Sequence, residues 1–398
     1  MNPSSTPSSH RHNATVLLVA IFFIAGGEQL WIGFVPKYLQ ALGASVLAVS
    51  AYGVVKDLLD AVYQFPGGAL TARIGAKNSL LMFNVLALAG YLLTAAAQSW
   101  WVVIAALPLI MAWQSFSLPA TFSIVSESLP KAERSTAFAW QSIVRRVPIA
   151  FAPVVGGVLV SAYGVIAGVR VAIFIGVALA LVAAIVQWTS YRGGPPKPLL
   201  LREALGDVAG LHPLLKRLLV ADIAVRFGQG IGEIFVVLYA INVMGASAST
   251  YGALIGLAML TSIAVYLPAS RRADTTGREP WITATYLFFA AFPASLCFAH
   301  GMPALVLSFA LMGLREIGEP PRKALIADLA RDGRKSVDVG AYYFVRGLAV
   351  FPASLVGGLL WRIDPRLTFG AAAAVALLGA AIFYFRVQRA PIALRTSA

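Results

Sequence analysis

The chain has 398 residues, of which 59% are hydrophobic and 12% are charged, with a formal net charge of +14. A soluble domain has roughly 25% charged residues, so this composition excludes a soluble globular protein and indicates a membrane protein. The single cysteine, Cys297, excludes an internal disulfide and a cysteine-based metal cluster. The four histidines lie in the tail or near predicted helix ends, and we expect no metal site and no cofactor.

Apolar runs of about twenty residues, each long enough to cross a ~30 Å hydrocarbon core, recur along the chain. They predict an all-α membrane protein with twelve transmembrane helices. The first six are expected over 14–39, 48–71, 79–97, 101–128, 136–162 and 167–191. The second six are expected over 215–243, 250–270, 280–299, 302–329, 337–361 and 367–387. The first run is too long for a secretory signal peptide and should remain in the mature protein.

Basic residues collect in alternate loops of this predicted topology. One side holds Arg73 and Lys77, Lys131 and Arg134, Arg192 to Arg217, Arg271 to Arg278, Arg331 to Lys335, and Arg386 to Arg395. The positive-inside rule then places both termini in the cytoplasm, and we expect the chain to be a multi-pass protein of the cytoplasmic (inner) membrane. The excess of basic residues is explained by topology, so no nucleic-acid partner is expected.

The longest polar connection divides the chain into two halves. We expect a disordered cytoplasmic tail over 1–13, six-helix bundles over 14–191 and 215–387, a cytoplasmic linker over 192–214, and a second tail over 388–398. Gly and Pro at the start of the linker stop the preceding helix, and the linker's later part has the pattern of a short amphipathic helix.

An arginine occurs at the same point of both halves. Arg145 lies 11 residues before Gly156, and Arg346 lies 11 residues before Gly357, so the two copies are 201 positions apart. An arginine at the centre of a membrane helix costs at least ~2.5 kcal/mol on insertion scales. Its occurrence at equivalent points of two halves indicates a central polar site in a duplicated fold.

Other residues repeat at nearly the same offset. Pro119 and Pro320 are 201 positions apart, and so are Glu127 and Asp328. The sequence Leu-Gly-Ala-Ser at 42–45 returns as Met-Gly-Ala-Ser at 244–247. Parallel halves of six spans each are a known transporter architecture, with the binding site at the midplane between them.

The loop after the second span reads Gly68-Ala-Leu-Thr-Ala-Arg73-Ile-Gly75-Ala-Lys77. It resembles the Gly-x-Leu-x-Asp-Arg-x-Gly-x-Lys signature of the major facilitator superfamily, except that Ala72 replaces the acid. The matching loop of the second half contains Asp274, Gly277 and Arg278. With the repeat, the chain resembles this family over nearly its full length. The resemblance implies two pseudo-symmetric six-helix bundles and a gating loop whose salt bridges hold the outward-open state.

The fifth span contains Ala152-Pro153-Val-Val-Gly156-Gly157. This is similar to the Gly-Pro-x-x-Gly-Gly core associated with antiporters of the family, and the resemblance is therefore to a bacterial-type drug:proton antiporter. A second interpretation stays open, because Pro and paired Gly also permit a bend and close helix packing.

Charged residues inside the spans are candidates for the site, because ionisable groups in a membrane face a partner or a water-filled cavity. Glu28 lies in the first span. In the second span the i,i+4 spacing predicts an ion pair of Lys56 with Asp60, and leaves Asp57 free to meet Glu28 or the fifth span. Each carboxylate can also belong to a purely structural ion pair.

The second half has its own charged residues. Asp222, Arg226 and Glu233 form one stripe on a helix. Glu316 and Glu319 share a helix face, and the two prolines after Glu319 should kink or open the tenth span. Arg346 is the expected counter-ion of these two acids.

From these observations we assign two sets of site residues. The proton-coupling candidates are Asp57, Asp60, Glu316 and Glu319, with Glu28 as a further proton-carrier candidate. The substrate-binding candidates are Arg145, Arg346, Glu28, Trp31, Trp113, Phe116, Trp140, Phe235 and Tyr343. Aromatic side chains on membrane helices more often pack or lie at interfaces than line a cavity.

The leading functional hypothesis is a secondary active transporter of a small organic solute, with proton-coupled efflux of amphiphilic compounds as its preferred form. Proton-coupled uptake or symport of an organic anion is the alternative, because two matched arginines suit an anion. A non-transporting membrane receptor is an alternative of another class. An enzyme is not expected, because the spans contain no nucleophile–base pair or metal-ligand cluster. The expected partners are the solute, protons and the lipid bilayer, with a monomer as the functional unit.

Overall fold

The structure is a computed structural model that describes the backbone of residues 7–128, 131–190, 210–331 and 335–389. It describes the side chains of those residues outside 7–11, 13, 14, 64–73, 76, 115–145, 267, 274 and 335–337. Every regular element in this part of the chain is helical. Most of the predicted linker and of the second predicted tail lies outside the described residues, whereas residues 7–13 of the first predicted tail are helical rather than disordered.

Helices occupy all twelve predicted positions, so the predicted fold class is confirmed. The spans of the first half are Pro7–Gln29 with Ile32–Phe34 and Val35–Ala41, Val46–Ile74, Ala76–Ala96, Trp100–Ser128, Lys131–Tyr163 and Val165–Ser190. The second half begins with Pro213–Gly232, Glu233–Phe235, Val236–Leu238 and Tyr239–Val243 as its seventh span, followed by Ala248–Thr276 and Glu279–Cys297. The tenth to twelfth spans are Gly301–Leu314 with Glu319–Asp328, Lys335–Val350 with Ala353–Trp361, and Pro365–Phe383 with Tyr384–Gln388.

Ten stretches of the described residues are long and apolar enough to cross a membrane, and Trp100–Gln114 is a shorter apolar helix. Several helices are longer than predicted. The first span starts at Pro7 rather than 14, and the fifth starts at Lys131 rather than 136. Apolar residues mark only the part of a helix inside the hydrocarbon core, whereas backbone hydrogen bonding continues through the polar residues that flank it.

The first and seventh spans are interrupted at equivalent positions. A 3₁₀ turn occupies Ile32–Phe34 in the first span and Glu233–Phe235 in the seventh. The two turns are 201 residues apart, which is the offset of the sequence repeat. A short 3₁₀ segment inside a helix changes its direction and often marks a functional hinge.

The tenth span is opened where the sequence predicts it. The helix ends at Leu314 and resumes at Glu319, with proline in the first turn of the new helix. Proline is well suited to that position, because N–H groups in the first turn of a helix have no acceptor within the helix and proline lacks this group. The amide of Gly318, inside the gap, donates to the Thr285 hydroxyl. A Cβ on Gly318 would overlap the backbone oxygen of Trp281, so glycine is required there.

The chain forms two compact units. The first contains the first span, the second span from Val62, the third to sixth spans, and Ala248–Ala253. The second contains Ala44–Ala61, the seventh span, the eighth span from Leu254, and the ninth to twelfth spans.

Paired glycines bring helix backbones into direct contact in both units. A Cβ on Gly156 in the first unit would overlap the backbone oxygen of Leu30, and a Cβ on Gly357 in the second would overlap that of Ile231. All four residues are related by the offset of 201. The sequence repeat is therefore a repeat of helix crossings.

A second type of crossing is also duplicated. In the first unit a Cβ on Gly252 would overlap the backbone oxygen of Pro153. In the second unit a Cβ on Gly53 would lie 2.7 Å from the hydroxyl oxygen of Ser354, whose Oγ donates to the backbone oxygen of Ser50 at 3.2 Å. Pro153 and Ser354 are again 201 residues apart.

Candidate functional site

A buried carboxylate organises the charged residues of the second unit. The side chain of Asp222, on the seventh span, has no exposed surface. Its Oδ2 accepts hydrogen bonds from Arg322 at 2.8 Å, Arg346 at 3.2 Å and the Tyr342 hydroxyl at 3.0 Å. Its Oδ1 accepts from the Tyr286 hydroxyl at 3.2 Å. A buried charge needs this degree of pairing, because an unpaired one is very costly outside water.

A second buried carboxylate lies beside the first. Glu319 lies in the first turn after the break of the tenth span. Its carboxylate accepts hydrogen bonds from Nε of Arg322 at 3.2 Å and from Nη2 of the same guanidinium at 2.8 Å. Nη2 of Arg226 also contacts Glu319, and Nη1 donates to Gln229 at 2.9 Å. Nε of Arg226 lies 3.9 Å from Asp222 and, within the described part of the chain, is buried without a hydrogen-bond partner.

We call Asp222, Arg226, Glu319, Arg322 and Arg346 the Asp222 cluster. It differs from the sequence prediction in its pairing. Arg346 was expected to be the counter-ion of Glu316 and Glu319, but its ion pair is with Asp222. The reason is that Arg322, one helical turn after Glu319, already holds that carboxylate. The i,i+3 spacing of Glu319 and Arg322 was the available signal for this residue. Glu316 is half-buried and interacts electrostatically with Arg226.

A further ion pair joins the two helix interruptions of this unit. Glu233, in the 3₁₀ turn of the seventh span, accepts from Nη1 of Arg315 at 3.2 Å. Arg315 caps the end of the helix before the gap in the tenth span. Its guanidinium carbon lies 5.1 Å from the ring centre of Phe289 and 4.9 Å from that of Phe292. Glu233 thus has a partner other than the residues of its predicted stripe.

In the second span, Lys56 forms an ion pair with its sequence neighbour Asp57 and also interacts electrostatically with its predicted partner Asp60. Nζ of Lys56 lies 3.3 Å from Oδ1 of Asp57. Adjacent residues point about 100° apart on a helix, but the long lysine side chain bridges that angle. Asp57, which was expected to be free to meet Glu28 or the fifth span, thus has Lys56 as a partner, and its proton-coupling role stays a prediction. Asp60 is exposed.

Glu28 is buried among polar and aromatic groups of the first unit. Its Oε1 accepts from the Tyr91 hydroxyl at 3.3 Å and from Nε2 of Gln114. Trp31 packs edge-on against Tyr91, with ring centres 5.4 Å apart, and its buried Nε1 has no hydrogen-bond partner among the described residues. Trp113 is also buried. These groups form a polar site inside the first unit.

Two aromatic candidates lie in the second unit. Phe235 is fully buried and stacks on Trp361, with ring centres 5.0 Å apart. Tyr343 is half-buried, and the guanidinium carbon of Arg346 lies 4.6 Å from its ring centre. Tyr343 therefore lies beside the charged cluster, whereas Phe235 belongs to the packed interior.

Several predicted site residues lie outside the side chains that the structure describes, and their roles remain predictions. They are Arg145, Phe116 and Trp140 of the binding set, and Gly68, Arg73 and Asp274 of the gating loop.

Other gating-loop residues are described. Gly75 has φ +82° and precedes the third span, where Lys77 donates to the backbone oxygen of Trp188 at 3.1 Å. In the second half, Gly277 has φ +90°. Both turns lie in the left-handed region that favours glycine.

The loop of the second half is also joined to the tenth span. Arg278 forms an ion pair with Asp328, at the end of that span. This pair is an inter-helix salt bridge of the type that the family resemblance implies for the loop.

A model of the Major Facilitator Superfamily matches residues 17–238 and 218–397, which together cover nearly all of the chain. The chain belongs to this superfamily. It is a membrane transporter of the major facilitator type rather than an enzyme.

Individual relatives agree with this assignment. An uncharacterised transporter of the major facilitator type from Methanocaldococcus jannaschii is 28% identical over 120 residues, which are 30% of this chain and 30% of that relative. A crystal structure of the nucleoside transporter NupG has a TM-score of 0.75 at 12% identity and covers 94% of this chain and 99% of its own. A crystal structure of a bacterial homologue of the human lysosomal transporter Spinster has a TM-score of 0.75 at 13% identity and covers 96% of this chain and 98% of its own. At these identities the solved structures share the fold alone.

Within the described residues, no group of three or more His, Cys, Asp or Glu side chains is arranged to hold a metal ion.

Proposed function

We propose that this transporter is a secondary active carrier that couples the movement of a small organic solute to protons by alternating access. The observation that supports the proposal is the Asp222 cluster, in which two buried carboxylates share three arginines inside the spans. A carboxylate beside an arginine stays ionised, whereas one that loses its partner in apolar surroundings takes up a proton. A carrier that rearranges such pairs links solute binding to protonation.

Glu319 is the best-supported proton carrier of the four candidates. It lies in the first turn after the gap in the tenth span, so a small change of that gap moves its carboxylate relative to Arg226 and Arg322. Glu316 lies inside the gap, and Asp57 is held by Lys56. Asp57, Asp60 and Glu316 remain candidates on the grounds given from the sequence.

An organic anion is the solute class that the described residues favour. The charged groups that remain accessible in the cluster are guanidinium groups, since the side chains of Arg226 and Arg346 are 18% and 22% exposed whereas that of Asp222 is fully buried. Trp31 and Phe235, two of the candidates for lining a cavity, are buried by packing. Uptake or symport of an organic anion is therefore our first candidate.

Proton-coupled efflux of an amphiphilic compound is the second candidate, because of the fifth-span motif. Gly156 and Gly157 of that motif lie against the backbone oxygens of Leu30 and Ala248. The eleventh span has the same Gly-Gly pair at 357–358, also at a helix crossing. Packing thus accounts for the glycines and weakens their connection with antiport.

We further propose the topology expected from the sequence: an inner-membrane monomer with both termini in the cytoplasm and six-helix halves over 14–191 and 215–387. Arg145, in the first half, is the proposed counterpart of Arg346.

The test is proton movement in liposomes that contain the purified transporter and the trapped pH dye pyranine. A desalted metabolite extract is added outside at matched pH. Symport predicts that the lumen becomes more acidic as solutes enter, and exchange of entering solutes for protons predicts that it becomes more alkaline. A lumen pH identical to that of empty liposomes, under gradients of either direction, would refute proton coupling.

A further inference from the structure

Two arginines bind the same oxygen of the same carboxylate. Nη1 of Arg322 donates to Oδ2 of Asp222 at 2.8 Å, and Nη1 of Arg346 donates to the same Oδ2 at 3.2 Å. Arg322 comes from the tenth span and Arg346 from the eleventh. With respect to Asp222, the two guanidinium groups make the same contact through the same nitrogen.

The opposite edges of the two guanidinium groups differ. Nε and Nη2 of Arg322 hold the carboxylate of Glu319 through two parallel hydrogen bonds, at 3.2 and 2.8 Å, and the side chain is 2% exposed. For Arg346, the residues that the structure describes place no hydrogen-bond acceptor on Nε or Nη2, and the side chain is 22% exposed. Within the described part of the chain, one fork is filled by a carboxylate and its neighbour is open.

The open fork is held in a defined orientation. Nη1 is fixed by Asp222, and the guanidinium carbon lies 4.6 Å from the ring centre of Tyr343. The fork is therefore preorganised, which lowers the entropic cost of binding a planar two-oxygen ligand.

The charge of the cluster favours an anion at this place. Three guanidinium groups face two carboxylates within ion-pair distance, so the five residues of the cluster carry an excess of one positive charge. Glu316 and Lys323 interact electrostatically with members of the cluster and add one charge of each sign, so they do not change this excess.

We propose that the Nε–Nη2 edge of Arg346 binds a carboxylate of the transported solute, in the way that Glu319 occupies the same edge of Arg322. This inference rests on the proposed transport function and defines its solute as an organic carboxylate. Two parallel N–H···O bonds to an ionised acceptor are stronger and more directional than a single contact. A lysine at 346 supplies the charge without the fork, so it does not replace the arginine.

The experiment is chemical modification of arginines by phenylglyoxal on the intact wild-type transporter, mapped by peptide mass spectrometry. The structure predicts that Arg346 reacts and that Arg322, with both edges occupied, does not. Sodium benzoate at ten times its dissociation constant slows the reaction of Arg346 about tenfold, by mass action. Benzamide, the neutral analogue of benzoate, leaves the rate unchanged. Arg217, which bonds the backbone oxygen of Arg386 and lies outside the cluster, is the internal control.

Three results would overturn the proposal. An unreactive Arg346 means that the fork is already filled, and equal reactivity with and without benzoate means that it binds no carboxylate. Protection by phosphatidylglycerol alone assigns the fork to a lipid headgroup. Because this assay uses no proton gradient, its failure is distinct from a failure of proton coupling in the pyranine assay.

Discussion

The hydroxyl of Tyr239 donates a hydrogen bond to the backbone oxygen of Leu296, 2.9 Å away. Tyr38 makes the same bond to Thr94 at 3.1 Å, 201 and 202 residues earlier in the chain. In each case the end of the first helix of a half is fastened to the end of its third helix. An arginine at the start of each sixth helix interacts with the tyrosine hydroxyl: Arg170 with Tyr38 and Arg366 with Tyr239.

We expect both tyrosine bonds to stabilise the fold to a similar degree. Replacement of Tyr38 or Tyr239 by phenylalanine removes one hydrogen bond to a backbone oxygen, and each should cost about 1 kcal/mol of unfolding free energy. Thermal unfolding of the purified protein in detergent measures the effect. Tyr163→Phe is the control, because Tyr163 is 63% exposed. Loss of stability in only one of the two variants would show that the halves are not equivalent here.

The helix crossings at Gly156 and Gly357 predict a second matched pair of effects. Alanine at either position places a Cβ on the facing backbone oxygen, and overpacking of this kind costs about 1–3 kcal/mol. Both variants should unfold at lower temperature than the wild type. Gly340→Ala is the control, since a Cβ there meets no atom within 4 Å. Alanine has a higher helix propensity than glycine, so this variant should be slightly more stable than the wild type. A wild-type melting temperature for Gly156→Ala would contradict the crossing.

Asp222 is expected to be the most sensitive residue of the charged cluster. Asp222→Asn leaves Arg322 and Arg346 without their shared counter-charge inside the protein, and removal of one partner from a buried ion pair costs about 3–5 kcal/mol. We expect a large fall in melting temperature and low yield of folded protein. Asp364→Asn is the comparison, because Asp364 caps the twelfth span and asparagine caps a helix equally well. Equal stability of the two variants would contradict the prediction that Asp222 stabilises the fold by pairing with the buried arginines.

The ion pair of Glu233 with Arg315 should couple the two helix interruptions that it joins. In a double-mutant cycle with Glu233→Gln and Arg315→Gln, residues in direct contact show an interaction energy of about 0.5–3 kcal/mol. Unfolding free energies of the two single variants and the double variant give this number. Additive effects would mean that the seventh and tenth spans are not coupled through this pair.

Much of the fold could be predicted from the sequence, because hydrocarbon thickness determines helix length and a duplicated fold repeats its residues. Twelve helices and the offset of 201 follow from those two facts. The ion-pair partners could not be predicted in the same way, because they depend on how each helix is rotated and on which oppositely charged residue lies nearest. Arg322 occupies Glu319 from one turn away, and Arg346 is left to Asp222. Lys56 likewise lies 3.3 Å from its sequence neighbour Asp57, a contact that the i,i+4 spacing with Asp60 did not predict.

The most direct test of the central claim is the composition of the solutes that the transporter accumulates. Liposomes containing the wild type, Arg346→Lys or Arg217→Lys are incubated in a metabolite extract under an imposed pH gradient, and their contents are compared with those of empty liposomes by mass spectrometry. We predict that the wild type and Arg217→Lys accumulate carboxylates, that a proton ionophore abolishes the accumulation, and that Arg346→Lys does not accumulate them. Accumulation of neutral or cationic solutes alone, or equal accumulation by Arg346→Lys, would contradict the account.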